Sequence, residues 1–113
     1  MTKVITTEEL KKKIDKGEDF YLIDVLSANS FEARHIPGAK NAPNGPEFLK
    51  QFEEQVKAPR NAEIIVYCGS STCMASVQAA DTLEKAGYTN VVHYKDGIAG
   101  WQNVEYKFEG KTI

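Results

Sequence analysis

Two short stretches of the chain are almost wholly apolar. Phe20-Tyr21-Leu22-Ile23-Asp24-Val25 and Ile64-Ile65-Val66-Tyr67 read as strands covered on both faces, the second being aliphatic and β-branched. Asn90-Val91-Val92-His93-Tyr94 predicts another strand. Outside these runs the pattern changes to helical spacing. Leu10 and Ile14, with the aliphatic stems of the neighbouring lysines, predict a helix that starts near Thr6 and stops at Gly17. Thr6 stands three residues before Glu9, as in a capping box, and glycine readily takes the left-handed conformation after a last turn.

Ser27 to Phe31 predicts a short helical turn, and His35-Ile36-Pro37-Gly38 is loop chemistry because Pro37 fixes φ. The irregular segment continues through Asn41 to Pro46. A second helix begins near Pro46, carries Phe48, Leu49, Phe52 and Val56 on one face, and breaks at Ala58-Pro59-Arg60-Asn61. After Cys73, the residues Val77, Ala80 and Leu83, with Ala79 and Ala86 beside them, predict an apolar helical face that ends at Gly87. Gly97 to Trp101 predicts a short terminal helix or turn. Strands alternating with helices imply right-handed crossovers, hence an α/β fold with a mostly parallel sheet flanked by helices.

The 113 residues suit one domain, able to bury roughly two-thirds of the surface that its unfolded chain exposes. With 42% hydrophobic and 27% charged residues the composition is that of a folded protein and not of a disordered one. A formal net charge of -2 leaves no global positive field for nucleic acid or anionic lipid. The basic run Lys11-Lys12-Lys13 falls inside the first amphipathic helix and reads as a solvated face. The N-terminus lacks the apolar core of a signal peptide, and no stretch approaches membrane-spanning length, so the cytoplasm is the expected compartment. Reducing thiol pools there keep cysteines free, and two cysteines are too few for a disulfide scaffold. Their expected role is chemical.

Cys68 falls at the carboxyl end of the most buried-looking strand, the place where ligands gather in parallel sheets. Gly69, Ser70, Ser71, Thr72 and Cys73 follow it, all small, before the helix begins. Such a segment can curl around its first side chain with backbone N–H groups pointing inward, an anion cradle reinforced by the helix dipole. A cysteine there is expected to be partly thiolate near neutrality. The plainer reading is a cysteine that packs beneath the helix as a small hydrophobe. Its strand-end position and the small residues after it favour the reactive reading.

Other chemistries are tested by spacing. A tyrosine-phosphatase loop needs an arginine six residues after its cysteine, and that position is Met74. No GxxxxGK[ST] element is present. Cys68, Cys73, His35 and His93 lack the paired spacing of a zinc site, so no metal is expected. His93 reads as a packed or edge residue of its strand, and His35, beside Pro37-Gly38, as a hydrogen-bonding loop residue.

Three segments, "LIDVLSANSFEARHIPGAKNAP" (22 to 43), "IIVYCGSST" (64 to 72) and "GYTNVVHYKDGIAGW" (87 to 101), together resemble the single-domain rhodaneses, a sulfurtransferase family, in order and spacing. The resemblance implies one rhodanese-like domain over residues 1–113, with a central parallel sheet, helices on both faces and a six-residue active-site loop. Carried over by position, Cys68 is the nucleophile, and Gly69, Ser70, Ser71, Thr72 and Cys73 form the loop whose amides hold a persulfide. In the family the cysteine takes up sulfane sulfur and yields it to an acceptor thiol or cyanide. The implied partners are a small sulfur donor and a thiol or protein acceptor, with no cofactor.

The chain departs from the family pattern at several positions that bear on substrate or partner. Leu26 stands where arginine is common, Ser30 where an acidic residue is usual, and Arg34 and Asp96 where glycine is frequent. Cys73 takes the last loop position, where many members have arginine or a hydroxyl residue. Without a loop cation, thiosulfate loses a charge-assisted contact worth roughly 1.5 to 3 kcal/mol, so weak thiosulfate binding is expected. Cys73 could act as a resolving thiol, attacking a persulfide on Cys68 and leaving a disulfide, or it could simply begin the helix as a small half-buried residue. Two further readings are a docking module that keeps the fold, and a dithiol oxidoreductase that reduces an oxyanion with Cys68 and Cys73.

Overall fold

The apolar runs at 20–25 and 64–67 lie side by side as neighbouring strands of one sheet. The computed structural model describes residues 3–70 and 72–111. Along the chain run β1 (Lys3–Ile5), α1 (Thr7–Lys16), β2 (Tyr21–Asp24), α2 (Ala28–Ala33), β3 (Lys40–Asn41), α3 (Phe48–Gln55), β4 (Ile64–Tyr67), α4 (Ala75–Lys85), β5 (Val91–Tyr94) and α5 (Gly97–Asn103). The five strands pair in the order β1-β5-β4-β2-β3, and every pairing is parallel. All four residues of the central strand β4 are fully buried, which accounts for the unbroken apolar run.

Successive strand residues point to opposite faces, and each face has its own core. Ile23, Ile64, Val66 and Val91 pack with Phe48 and Phe52 of α3 and Ala79, Ala80 and Leu83 of α4. Leu22, Ile65, Tyr67, Val92 and Tyr94 pack on the other side with Leu10 of α1 and with Ile98 and Trp101 of α5. The α/β architecture with helices on both faces is as the sequence implied.

Local signals place both ends of α1. Thr6 Oγ1 accepts from the Glu9 N–H at 3.1 Å while the Glu9 carboxylate accepts from the Thr6 N–H at 3.0 Å, the full capping box. Gly17 closes α1 at φ 67. Lys11 pairs with Asp15, and Lys13 with Glu18 and Glu63, so the basic run is a solvated, ion-paired face. Among the described residues no helix is long and apolar enough to cross a membrane.

Two features differ from the sequence reading. β1 and β3 hold three and two residues, too few to show any periodicity, and both are edge strands. As expected, Cys73 precedes the helix, which starts at Ala75. Val77, expected on the apolar face of that helix, is 41% exposed, and Ser76 at 1% takes the inward position with Ala79, Ala80 and Leu83. The stripe 76-79-80-83 has the spacing of one helical face, and Val77 sits about 100° around the axis from it.

Candidate functional site

β4 delivers Cys68 at its carboxyl end, and the start of the following loop is clamped from one side by α5. The Ile98 N–H donates to the Cys68 carbonyl at 3.0 Å and the Ala99 N–H to the Gly69 carbonyl at 2.8 Å. Gly97, at φ 61, makes that approach possible, because a Cβ there would collide with the Cys68 carbonyl oxygen. Further along, the Cys73 N–H donates to the Ser70 carbonyl at 3.1 Å. Ser70 and Thr72 share a hydroxyl hydrogen bond of 3.0 Å. Ser71, the remaining loop residue read from the sequence, lies outside the described residues.

Cys68 and Cys73 are joined as a disulfide across a Cα–Cα distance of 6.4 Å, within the span that this bond tolerates. The loop thus holds both sulfurs in bonding range, even though Cys73 also sits just before the helix as a half-buried residue. Cys68 is 1% exposed. Its Sγ lies 3.3 Å from Ser76 Oγ and 3.6 Å from the Cys73 carbonyl oxygen. Among the described residues no main-chain N–H donates to that sulfur. A disulfide sulfur carries no charge to attract amides, and the cradle read from the sequence concerns the thiolate of the reduced loop.

Ser76 Oγ in turn lies 2.7 Å from His93 Nε2. His93 is a packed residue of β5, in register with Val66 of β4 and Val4 of β1. Burial holds its pKa below the ordinary 6.5, and the charge of Lys95 adds to the effect. Neither Ser76 nor its link to His93 was visible in the hydrophobic pattern. The available signal was a small hydroxyl residue three and four positions before Ala79 and Ala80, on the buried side of α4.

The opposite face of the sheet carries a second buried polar group. Asp24 is fully buried, and its Oδ1 accepts from the Leu26 N–H at 2.8 Å. Its other oxygen, Oδ2, has no hydrogen-bond partner among the described residues. Burial raises the carboxyl above its ordinary 3.8, against the opposing pull of the Leu26 amide. The Tyr67 hydroxyl, paired in register with Asp24, accepts from the Ile36 N–H at 3.1 Å, and burial pushes its pKa well up.

His35 fastens a loop, as its neighbours imply. Its Nδ1 lies 2.7 Å from the Phe31 carbonyl oxygen, its ring stacks on Phe31, and its backbone bridges to Glu109. Met74 occupies the position where a phosphatase loop has its arginine. Among the described residues no group of three or more His, Cys, Asp or Glu side chains is placed to hold a metal ion.

The comparisons with known proteins agree on one family. A family model described as "Rhodanese-like domain" matches residues 6–104. The chain is similar to a probable adenylyltransferase/sulfurtransferase, MoeZ, of Mycobacterium tuberculosis, 32% identical over 97 residues that make up 86% of this chain and 24% of that protein. It is also similar to a putative sulfur carrier protein, YrkF, of Bacillus subtilis, 33% identical over 97 residues, or 86% of this chain and 49% of that protein. The chain therefore spans about a quarter to a half of the length of these two relatives. In three dimensions it is similar to the crystal structure of the BH2092 protein from Bacillus halodurans, with a TM-score of 0.87 and 25% identity, covering 98% of this chain and 79% of that one.

Proposed function

Because the chain belongs to the rhodanese-like domain family, we propose that it carries and transfers sulfane sulfur, with Cys68 as the covalent acceptor. The reduced Cys68 thiolate attacks the outer sulfur of a small donor. The donor's sulfur–sulfur bond breaks, its leaving group departs with the electron pair, and Cys68 becomes a persulfide. An acceptor thiolate, on a small molecule or a protein, then attacks the outer sulfur and regenerates the Cys68 thiolate. In the reduced loop the backbone amides that follow Cys68, from Gly69 to Cys73, turn toward the negative sulfur, the Cys73 N–H by giving up the Ser70 carbonyl that it binds in the disulfide. These steps draw on no metal or organic cofactor.

The observation that supports this reading best is the position of Cys68 at the carboxyl end of the central strand, with a second sulfur in bonding range. Sulfurtransferases and sulfur carriers among the relatives point the same way. Loss of transfer from a sulfane-sulfur donor to a thiol, down to the uncatalysed background, is expected for Cys68→Ser. Transfer at the parental rate by that variant would sink the reading.

The disulfide favours a second step. Cys73 as thiolate attacks Cys68 Sγ of the persulfide, hydrosulfide leaves, and the Cys68–Cys73 disulfide forms. Two thiols, or one dithiol, then supply the two electrons that reopen it. Cys73 is half-buried and Cys68 buried, so the incoming thiolate attacks Cys73 and Cys68 departs. Cys73→Ser is expected to keep the first persulfide but to lengthen its life, and identical persulfide decay in parent and variant would rule the step out. Dithiol reduction of an oxyanion leaves the same disulfide. Hydrosulfide release from a persulfide donor separates the two. A cytoplasmic setting fits this cycle, since reducing thiol pools would keep the loop turning over.

A further inference from the structure

Cys68 Sγ, Ser76 Oγ and His93 Nε2 form a row with spacings of 3.3 and 2.7 Å. The three residues are 1%, 1% and 8% exposed. Two contacts between three polar atoms need two protons. In the disulfide the sulfur has none, and the serine hydroxyl supplies one. If that proton pointed to the imidazole, oxygen and sulfur would meet lone pair to lone pair between two residues that are each 1% exposed. Both contacts are satisfied when His93 Nε2–H donates to Ser76 Oγ and the Ser76 O–H donates to Cys68 Sγ.

We propose that Ser76 and His93 form the proton route of Cys68, with Ser76 as a catalytic residue touching the sulfur and His93 as the positioning residue behind it. The proposal rests on the sulfur-transfer reading and names the groups that serve its nucleophile. In the reduced thiol the row runs the other way: Cys68 S–H donates to Ser76, Ser76 O–H donates to Nε2, and the ring's own proton is on Nδ1. On ionisation the Cys68 proton passes to Ser76, the Ser76 proton passes to Nε2, and the Nδ1 proton leaves to solvent. One proton is lost in all. A thiolate remains, held by the Ser76 O–H, beside a neutral ring protonated on Nε2. When Cys68 departs from the disulfide the row already points toward it, so the leaving thiolate is stabilised as it forms.

A route of this kind is needed because the sulfur itself has almost no access to water. The surroundings keep the ring neutral, as the shuttle requires. Val4 and Val66 flank His93 in the sheet, and the buried residues of α4 are Ser76, Ala79, Ala80 and Leu83, none of them ionisable. Among the described residues Lys95 is the charge that bears on the ring, and it opposes protonation as burial does.

The test uses reduced protein with Cys73→Ser, so that Cys68 is the one thiol, and follows alkylation by iodoacetamide against pH. Ser76→Ala is expected to raise the Cys68 titration midpoint by about one pH unit, which reads as about tenfold slower labelling below the midpoint. His93→Leu should shift it in the same direction, and His93→Gln, which retains a donor, should restore most of the shift. An unmoved midpoint in Ser76→Ala would overturn the proposal. Ring-nitrogen NMR of His93 in the unsubstituted chain needs no variant to fold. It should show the Nε2–H tautomer in the oxidised protein and Nδ1–H in the reduced thiol, and Nδ1–H in both states would also overturn the proposal. Labelling involves no sulfur donor, so a failed route leaves sulfur transfer standing, and active Cys68→Ser would sink transfer without touching the titration.

Discussion

Asp24 and His93 give the stability of the protein opposite pH dependences. Burial lifts the Asp24 carboxyl above 3.8, so the folded state holds its proton more tightly than the unfolded chain does. The contribution is full below that value and is lost as pH rises through the folded pKa. Asp24→Asn keeps an acceptor for the Leu26 N–H and removes the charge. Relative to the parent, its denaturant midpoint should therefore be more favourable at about pH 7 than at about pH 4, and the reverse order would contradict the burial argument. His93 is depressed below 6.5, so its contribution is present above that value and is lost as pH falls toward the folded pKa. Urea midpoints should drop between about pH 7.5 and about pH 5.5, with part of the drop missing in His93→Gln.

At this scale the position of Cys68 was legible, because an apolar run that ends in small residues marks a strand end and a tight loop. Ser76 was not. Hydrophobic spacing assigned the inward place to Val77, whereas the partners that draw a serine inward, Cys68 and His93, lie on other elements. Periodicity along one helix cannot register partners of that kind.

Among the elements, α5 holds the backbone of the loop. Its first turn binds the Cys68 and Gly69 carbonyls, and Gly97 stands where any side chain would meet the loop. Gly97→Ala is expected to cost about 1 to 3 kcal/mol from its left-handed backbone, and more from the collision, while slowing sulfur transfer. A parental denaturant midpoint and parental transfer in that variant would show that α5 does not shape the loop. At the other end of the chain, Thr6→Ala removes half of the capping box of α1 and should cost about 1 kcal/mol with transfer unchanged. Capping boxes and closing glycines act between residues close in sequence, which is why α1 was readable at both ends. β1 and β3 were not, since strands this short exist only through the neighbours that they pair with.

For the molecule as a whole, strand–helix alternation conveyed a parallel sheet with helices on both faces, but not its strand order. That order places β5 between β1 and β4 and so brings His93 beside the strand that ends in Cys68. Such a pairing joins segments far apart in the chain and leaves no local trace. The order also puts the site at the middle of the sheet, where β4 has a paired strand on each side and a helix layer on each face. Truncating the centre should therefore be costly at every scale, and Ile65→Ala is expected to lower stability by about 2 to 5 kcal/mol.

The central claim is that sulfur becomes covalently bound at Cys68, and mass analysis of the reduced protein addresses it most directly. Intact protein and its peptides are weighed after exposure to thiosulfate, to mercaptopyruvate and to a persulfide donor in turn. The account predicts one added sulfur atom on the peptide that contains Cys68, removable by a thiol acceptor, with thiosulfate the least effective donor. No gain with any donor, or an equal gain in Cys68→Ser, would contradict it.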